Sequence, residues 1–164
     1  AAAGARPEMW KTGHSLIKAR MKELDAPLAG EMSGHIFFGG DYYGFDDALF
    51  AAARLLQIVA DGAGGLDRLL ADLPPTFTTP EIRIDCPDDV KFGIVERAAR
   101  HFGSLYQVNT IDGVRIAYPD GWALLRSSNT QPVLVMRFEA TSEDSLRRYR
   151  AEMRDWLAGQ SVEA

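Results

Sequence analysis

Apolar positions along the chain change period several times, and each change marks an element. Residues 8–12 read as a short strand running into a turn at Gly13-His14, with Ser15 placed to cap a helix. Leu16, Ile17, Met21 and Leu24 then recur at helical spacing, with Lys18, Arg20, Lys22 and Glu23 between them, which predicts an amphipathic helix lying on a sheet. Residues 27–29 and 36–38 are short apolar runs of strand type. Strand, helix and strand in so short a span predict a compact crossover unit, and ligands of open α/β sheets bind beyond the carboxyl ends of the strands. Asp46 and Asp47 place negative charge at a helix start, where the dipole favours it. Leu49, Ala52, Leu55, Leu56 and Val59 form one face of that helix and are expected to be buried. Asp61-Gly62-Ala63-Gly64-Gly65 ends it, and Leu66, Leu69, Leu70 and Leu73 predict a second, short helix.

The pattern then changes character. Three prolines between 74 and 80 deny helix and stiffen an extended segment, so residues 1–74, a linker over 75–80 and residues 81–164 are the expected divisions. Ile82, Ile84 and Cys86 alternate with Glu81, Arg83 and Asp85 as in a half-buried strand. Asp88 and Asp89 open a helix with Val90, Ile94, Ala98 and Phe102 as its apolar ladder. Strands over 106–110 and 114–118 are joined through Asp112-Gly113, a strong hairpin signal. Residues 121–125 and 133–138 make another pair, and Thr141-Ser142-Glu143-Asp144 has the form of a capping box. The helix after it turns Leu146, Tyr149, Met153, Trp156 and Leu157 inward and stops at Gly159. The fold class expected is therefore α/β followed by α+β: part of a mixed α/β unit, then a four-stranded antiparallel sheet covered by two helices.

Composition sets limits on function. A chain of 164 residues with 46% hydrophobic content buries one ordinary core or two small ones. A formal charge of −5, without a basic run, argues against nucleic acid as partner but leaves room for a small anion held locally. No apolar run approaches the ~20 residues that span a bilayer, so no membrane partner is expected. The one cysteine, Cys86, forms no internal disulfide and reads as a small buried hydrophobe, which fits a reducing compartment such as the cytoplasm. The start has neither the basic nor the long apolar region of a secretory signal and no initiator methionine, as expected of a piece of a longer chain.

Two stretches carry chemistry. In Gly30-Glu31-Met32-Ser33-Gly34-His35 a carboxylate, a hydroxyl and an imidazole interrupt a core-like run between glycines. They suit a polyhydroxylated ligand, with a polar turn between two strands as the competing reading. His14 follows a predicted strand end and would share a crevice with Glu31 if the two strands are parallel neighbours; a surface turn is its alternative. The spacing of His14, Glu31 and His35 matches no metal-binding pattern, and no metal is expected here. Tyr42 and Tyr43 sit in a loop after two glycines, where packing outweighs covering a sugar face. The connector Arg126-Ser127-Ser128-Asn129-Thr130 gathers a guanidinium, three hydroxyls and an amide where a hairpin needs only turn residues. Such a loop, with its backbone N–H groups, can hold a phosphate dianion; a solvated polar turn competes with that reading.

Lys11-Thr12-Gly13-His14-Ser15, the Gly30 to His35 stretch, Tyr43-Gly44-Phe45-Asp46-Asp47 and the Arg126 connector, in this order, resemble the phosphomannomutase/phosphoglucomutase branch of the alpha-D-phosphohexomutase superfamily. The resemblance runs from about Trp10 to the end and covers only the end of such a chain's third domain and all of its fourth. Two glycines, Gly39 and Gly40, stand where a longer charged residue commonly follows the phenylalanines, which implies a more mobile tip. The resemblance implies that Glu31, Ser33 and Gly34 bind sugar hydroxyls and that His14 and His35 line the same pocket, with proton shuttling a further role for His35. It implies that Arg126, Ser127, Ser128, Asn129 and Thr130 clamp the phosphate that is not being transferred. The substrates implied are the 1- and 6-phosphates of mannose and glucose, interconverted through a phosphoserine and a bisphosphorylated sugar. That serine and the Asp-rich loop for Mg2+ belong to a part of the parent chain not present here, so this stretch alone is expected to be inactive. The rival reading is a non-catalytic phosphosugar-binding module.

Overall fold

A computed structural model describes residues 4–62 and 65–160, which form two compact units divided between Leu73 and Pro74. In the first unit α1 (His14–Leu24) is followed by β1 (Leu28–Gly30), β2 (Ile36–Phe38), α2 (Ala48–Asp61) and α3 (Leu66–Leu69). Strands β1 and β2 pair antiparallel, Ala29 opposite Phe37, so the glycine-flanked motif is the connection of a hairpin. The parallel crossover expected from the sequence is not formed among the described residues, and residues 8–12 are not a strand. The core is small: Ile17 and Met21 of α1 close on Phe37, with Ala26 and Ala29 beside them.

Helix α2 departs furthest from expectation. None of its residues is buried, and Leu49 and Leu56 are 85% and 69% exposed. The apolar stripe is as the sequence predicts, but a two-stranded sheet offers too little surface to cover it. The leucines of the short helical segment after it, Leu66, Leu69, Leu70 and Leu73, are exposed as well. Ala63 and Gly64, part of the expected stop of α2, lie outside the described residues. The tip after β2 is anchored: the Gly39 N–H donates to Pro27 O at 2.8 Å, and a Cβ at Gly39 would meet Ala26 O at 2.7 Å. Glycine there answers a close backbone approach as much as a need for freedom.

The second unit contains β3 (Phe77–Thr78), β4 (Ile82–Asp85), α4 (Asp88–Gly103), β5 (Gln107–Asn109), β6 (Val114–Tyr118), β7 (Gly121–Ser127), β8 (Val133–Ala140) and α5 (Glu143–Ala158). Its sheet has six strands rather than four, all pairs antiparallel, in the order β3-β8-β7-β6-β5 with β4 also against β8. The proline-rich segment read as a linker contributes β3 to one edge, where proline's missing donor is tolerated. Thr79 is buried there, its hydroxyl accepting from the Phe138 N–H at 3.1 Å.

One face of the sheet carries the core. Ile116, Ala123, Leu125, Leu134, Met136 and Phe138 alternate inward against Ile94, Ala98 and Phe102 of α4 and Leu146, Tyr149, Met153 and Leu157 of α5. Trp156 is only partly buried at its margin. Ser142 caps α5 by accepting from the Ser145 N–H at 3.2 Å, although the residue completing that turn is Ser145 rather than an acidic one. Val90, expected in the ladder of α4, is exposed, and Lys91 takes the inward position. No helix among the described residues is long and apolar enough to cross a membrane.

Candidate functional site

The first site gathers around the amino end of α1. Gly13, the residue capping that helix, donates its N–H to Glu31 Oε1 at 3.2 Å, and the Ser33 hydroxyl donates to Glu31 Oε2 at 2.9 Å. The carboxylate is thus fixed through both oxygens, and an anion facing a helix amino terminus is favourably placed. The turn is closed by Glu31 N–H to His35 O and Gly34 N–H to Glu31 O, with Gly34 at positive φ. Glu31 reaches Gly13, the residue before His14, at the helix start, and the neighbouring parallel strand ends expected to bring His14 and Glu31 into one crevice are not formed among the described residues. Ser15, expected to cap this helix, lies inside it, and no side chain among the described residues caps α1.

His14 and His35 come together on one carboxylate, Asp46, which the sequence pattern assigns to a helix start and not to a site. His35 Nδ1 lies 2.7 Å from Asp46 Oδ2, and His14 Nδ1 lies 3.5 Å from the same atom. The imidazoles meet edge to face at 4.4 Å, and His14 rests on the edge of buried Phe37. Backbone pairing between Phe37 and Asp46 brings the carboxylate to β2. A carboxylate only accepts, so Nδ1 is the nitrogen of His35 that donates here, and in the neutral imidazole Nε2 is then the acceptor. Asp47, not Asp46, caps α2, accepting from the Phe50 N–H at 2.9 Å. The Tyr42 hydroxyl bonded to it, then that backbone donor, hold its carboxyl below the usual range. Tyr42 packs on Phe50, with ring centroids 3.8 Å apart, whereas Tyr43 is exposed beside Phe45. Donor atoms of His14, His35 and Asp46 all lie within 4.8 Å of one another. Two imidazole nitrogens and one oxygen do not suit Mg2+, which takes oxygen ligands.

The second site is the connection between β7 and β8. Along β7 the alternation sends Ala123, Leu125 and Ser127 toward the helices and Arg126 to the open face. Ser127 is therefore separated from the other loop residues, and its hydroxyl is buried without a hydrogen-bond partner. Ser128 is buried too, its Oγ accepting from the N–H groups of Thr130 and Gln131 at 3.3 and 3.2 Å. The Ser128 N–H is spent on Val133 O. Asn129 and Thr130 are exposed. Among the described residues, the Arg126 guanidinium and the Asn129 N–H have no protein partner. A guanidinium and an amide N–H left free on one short loop are donors of the kind that bind an anion.

Sequence reasoning missed one residue here. Lys91, 3% exposed in the first turn of α4, donates to Ser128 O at 2.6 Å and to Gln131 O at 2.9 Å, and pairs with Asp88 at 2.6 Å. Counting back from Ile94 by three rather than four would have found it, since 91, 94, 98 and 102 are the inward positions.

Comparison with known proteins adds to this geometry. Residues 1–77 match the family model "Phosphoglucomutase/phosphomannomutase, alpha/beta/alpha domain III", and residues 81–155 match "Phosphoglucomutase/phosphomannomutase, C-terminal domain". The chain belongs to the phosphoglucomutase/phosphomannomutase family. It is 49% identical over 156 residues to a phosphomannomutase/phosphoglucomutase of Pseudomonas aeruginosa, covering 94% of this chain and 34% of that protein. It is 45% identical over 148 residues to a phosphoglucomutase of Neisseria gonorrhoeae, covering 88% and 32%. A solved structure of a phosphoglucomutase/phosphomannomutase family protein from Burkholderia thailandensis superposes with a TM-score of 0.83 at 50% identity, covering 96% of this chain and 33% of that one. The chain thus spans about a third of the length of the relatives it matches.

Proposed function

We propose that this chain is the sugar- and phosphate-recognition part of a phosphohexomutase that interconverts 1-phospho and 6-phospho hexoses of the mannose and glucose type. The observation that carries the reading is that Arg126 and the Asn129 N–H, three residues apart in one connection, have no protein partner among the described residues, in a loop otherwise locked by its own hydrogen bonds. A phosphate dianion is the ligand class that such a pair favours. The carboxylate of Glu31, held from behind by Gly13, accepts sugar hydroxyls. Ser33 and Gly34 border it, and His14 begins the helix whose capping residue holds it. His35, oriented by Asp46, takes a proton from a hydroxyl at Nε2. Thr130 and the Ser128 hydroxyl proton complete the phosphate loop, while the Ser127 hydroxyl lies on the core side of β7. Phosphoryl transfer depends mostly on positioning and charge, which gives groups remote from the phosphoryl donor control over rate. Mg2+ belongs, in this proposal, to the parent chain outside these residues.

The test is a titration of the 164-residue chain with glucose 1-phosphate, followed by backbone amide shifts. Shifts are expected at residues 31–35 and at 126–130. Arg126→Ala removes a charge-assisted pair, typically worth about 1.5–3 kcal/mol, so affinity should fall roughly ten- to a hundredfold. Asn129→Ala should cost less, and Arg126→Lys should not rescue binding, because an ammonium lacks the fork. If Asn129→Ala is the most damaging, or Arg126→Lys binds like the parent, the phosphate-clamp reading fails.

A further inference from the structure

We infer that Lys91 is a positioning residue for the phosphate loop: it fixes the peptide orientation that presents the Asn129 N–H to an anion. The inference rests on the proposed reading of residues 126–130 as that loop. An ammonium has three donors, and here each has an acceptor: the carbonyls of Ser128 and Gln131, and Asp88. In a planar trans peptide the carbonyl of one residue and the N–H of the next point in opposite directions. Drawing the Ser128 carbonyl onto Lys91 therefore turns the Asn129 N–H away from the protein, where no described group accepts it.

The remaining bonds of the loop depend on the same anchor. Gln131 is held at both ends, its carbonyl by Lys91 and its side-chain oxygen by Arg83 at 2.6 Å. With residues 128 and 131 both pinned to one ammonium, the Ser128 hydroxyl lies within reach of the Thr130 and Gln131 N–H groups. Those two donors are thereby withdrawn from the ligand, and Asn129 is left as the backbone donor on offer. The position of Lys91 is itself unfavourable by local rules. A cation in the first turn of a helix opposes the macrodipole, and a nearly fully buried lysine is rare unless its donors are all met. Such conflicts between local preference and structure mark sites held for function. Asp88 and Asp89 in the same turn offset part of the cost.

The experiment compares the parent 164-residue chain with Lys91→Met and Lys91→Arg. Methionine keeps the buried apolar stem, while arginine keeps the charge but cannot place both carbonyls at the original distances. Two readouts are taken: inorganic phosphate titrations followed at the Ser128, Asn129 and Thr130 amides, and hydrogen exchange at Thr130 and Gln131 against amides in the middle of β7. The expected result is at least tenfold weaker phosphate binding by both variants, with exchange accelerated at 130 and 131 while β7 stays protected. A purely structural role would instead lower protection throughout the sheet. If Lys91→Met fails to fold, Lys91→Gln takes its place with the same outcomes. Parent-like phosphate binding by the methionine variant, or full rescue by arginine, overturns the assignment of Lys91 and leaves the phosphate reading standing. No phosphate binding by the parent chain overturns both.

Discussion

Gly113 occupies the turn before β6 with φ of 83°, directly across from Arg126. A Cβ at this position would lie 2.4 Å from Leu125 O, 2.5 Å from Arg126 Cβ and 2.8 Å from Arg126 Cα. Gly113→Ala therefore carries two costs. An L-residue in the left-handed region loses roughly 1–2 kcal/mol, and forcing a methyl into occupied space costs typically about 1–3 more. The neighbours that must give are backbone atoms of β7, not the end of a flexible side chain, so the expected total is about 2–5 kcal/mol. At ~0.1 kcal/mol per residue, a unit of this size has about 9 kcal/mol to lose, so the variant should fold but be clearly weakened. The displaced strand also carries Arg126, and phosphate affinity should fall along with stability. Urea unfolding followed by Trp122 and Trp156 fluorescence, with Trp10 replaced by Phe to remove the signal of the other unit, reads the loss directly. With m of ~1–3 kcal/mol/M, the midpoint should move down by roughly 1 M or more. A midpoint within about 0.2 M of the parent would show that the hairpin has room for a side chain, and the reasoning would be wrong.

The 164-residue chain alone should not convert mannose 1-phosphate or glucose 1-phosphate, since the phosphoserine and the Asp-rich Mg2+ loop that the proposed reaction requires are not among its residues; Mg2+-dependent formation of glucose 6-phosphate by the purified chain in a coupled assay would refute this. Replacing Leu49 and Leu56 with Lys should reduce self-association at high concentration, because both sit on the uncovered face of α2; sedimentation velocity showing the same monomer for parent and variant at all concentrations would count against it. Asp120 accepts from Ser145 and Tyr149, and these bonds hold its carboxyl below the usual range. A depressed carboxylate stabilises above its unfolded pKa and loses that contribution as pH falls through the folded one, so the window lies below about pH 4. Asp120→Asn should be less stable at neutral pH and show a shallower acid dependence in thermal melts between about pH 2.5 and 6; an unchanged acid limb would reject the assignment.

Elements with strong periodicity are legible in the sequence. The ladder Ile94, Ala98, Phe102 and the alternation of Ile82 and Ile84 follow from spacing that local structure imposes by itself, and the start of α5 is legible to within one residue, the cap being Ser142 where the four-residue box places Thr141. Pairing is less legible. Apolar runs at 27–29 and 36–38 indicate strands, but nothing in their composition separates a parallel crossover from the hairpin observed. The stripe on α2 is visible as a stripe but its exposure is not, because periodicity reports which face is apolar and not whether a partner exists. At the candidate sites, Glu31, Ser33 and His35 stand close in sequence, and their concentration of polar groups is what makes them candidates. Asp46 and Lys91 reach their sites from distant positions, one by a backbone bridge to Phe37 and the other across 37 residues to Ser128. Tertiary juxtaposition of that kind leaves no local trace. Ser127 is the opposite case: its period-two position on β7 already points it inward, and only its polar neighbours suggest otherwise.

Strand β8 has consequences for the order in which the second unit can assemble during synthesis. Both edge strands β3 and β4 pair with it, β7 lies along its other side, and α5 rests on it from sequence further along the chain. The hairpins from β5 to β7 join neighbours in sequence and can close as soon as they emerge. Strands β3 and β4 are made first and must wait for a strand whose residues begin at Val133. At synthesis rates of about 5–20 residues per second, Ile82 spends several seconds without its partner Met136. The prolines flanking β3 and the charged outward residues Arg83 and Asp85 of β4 protect these waiting strands from pairing with another nascent chain.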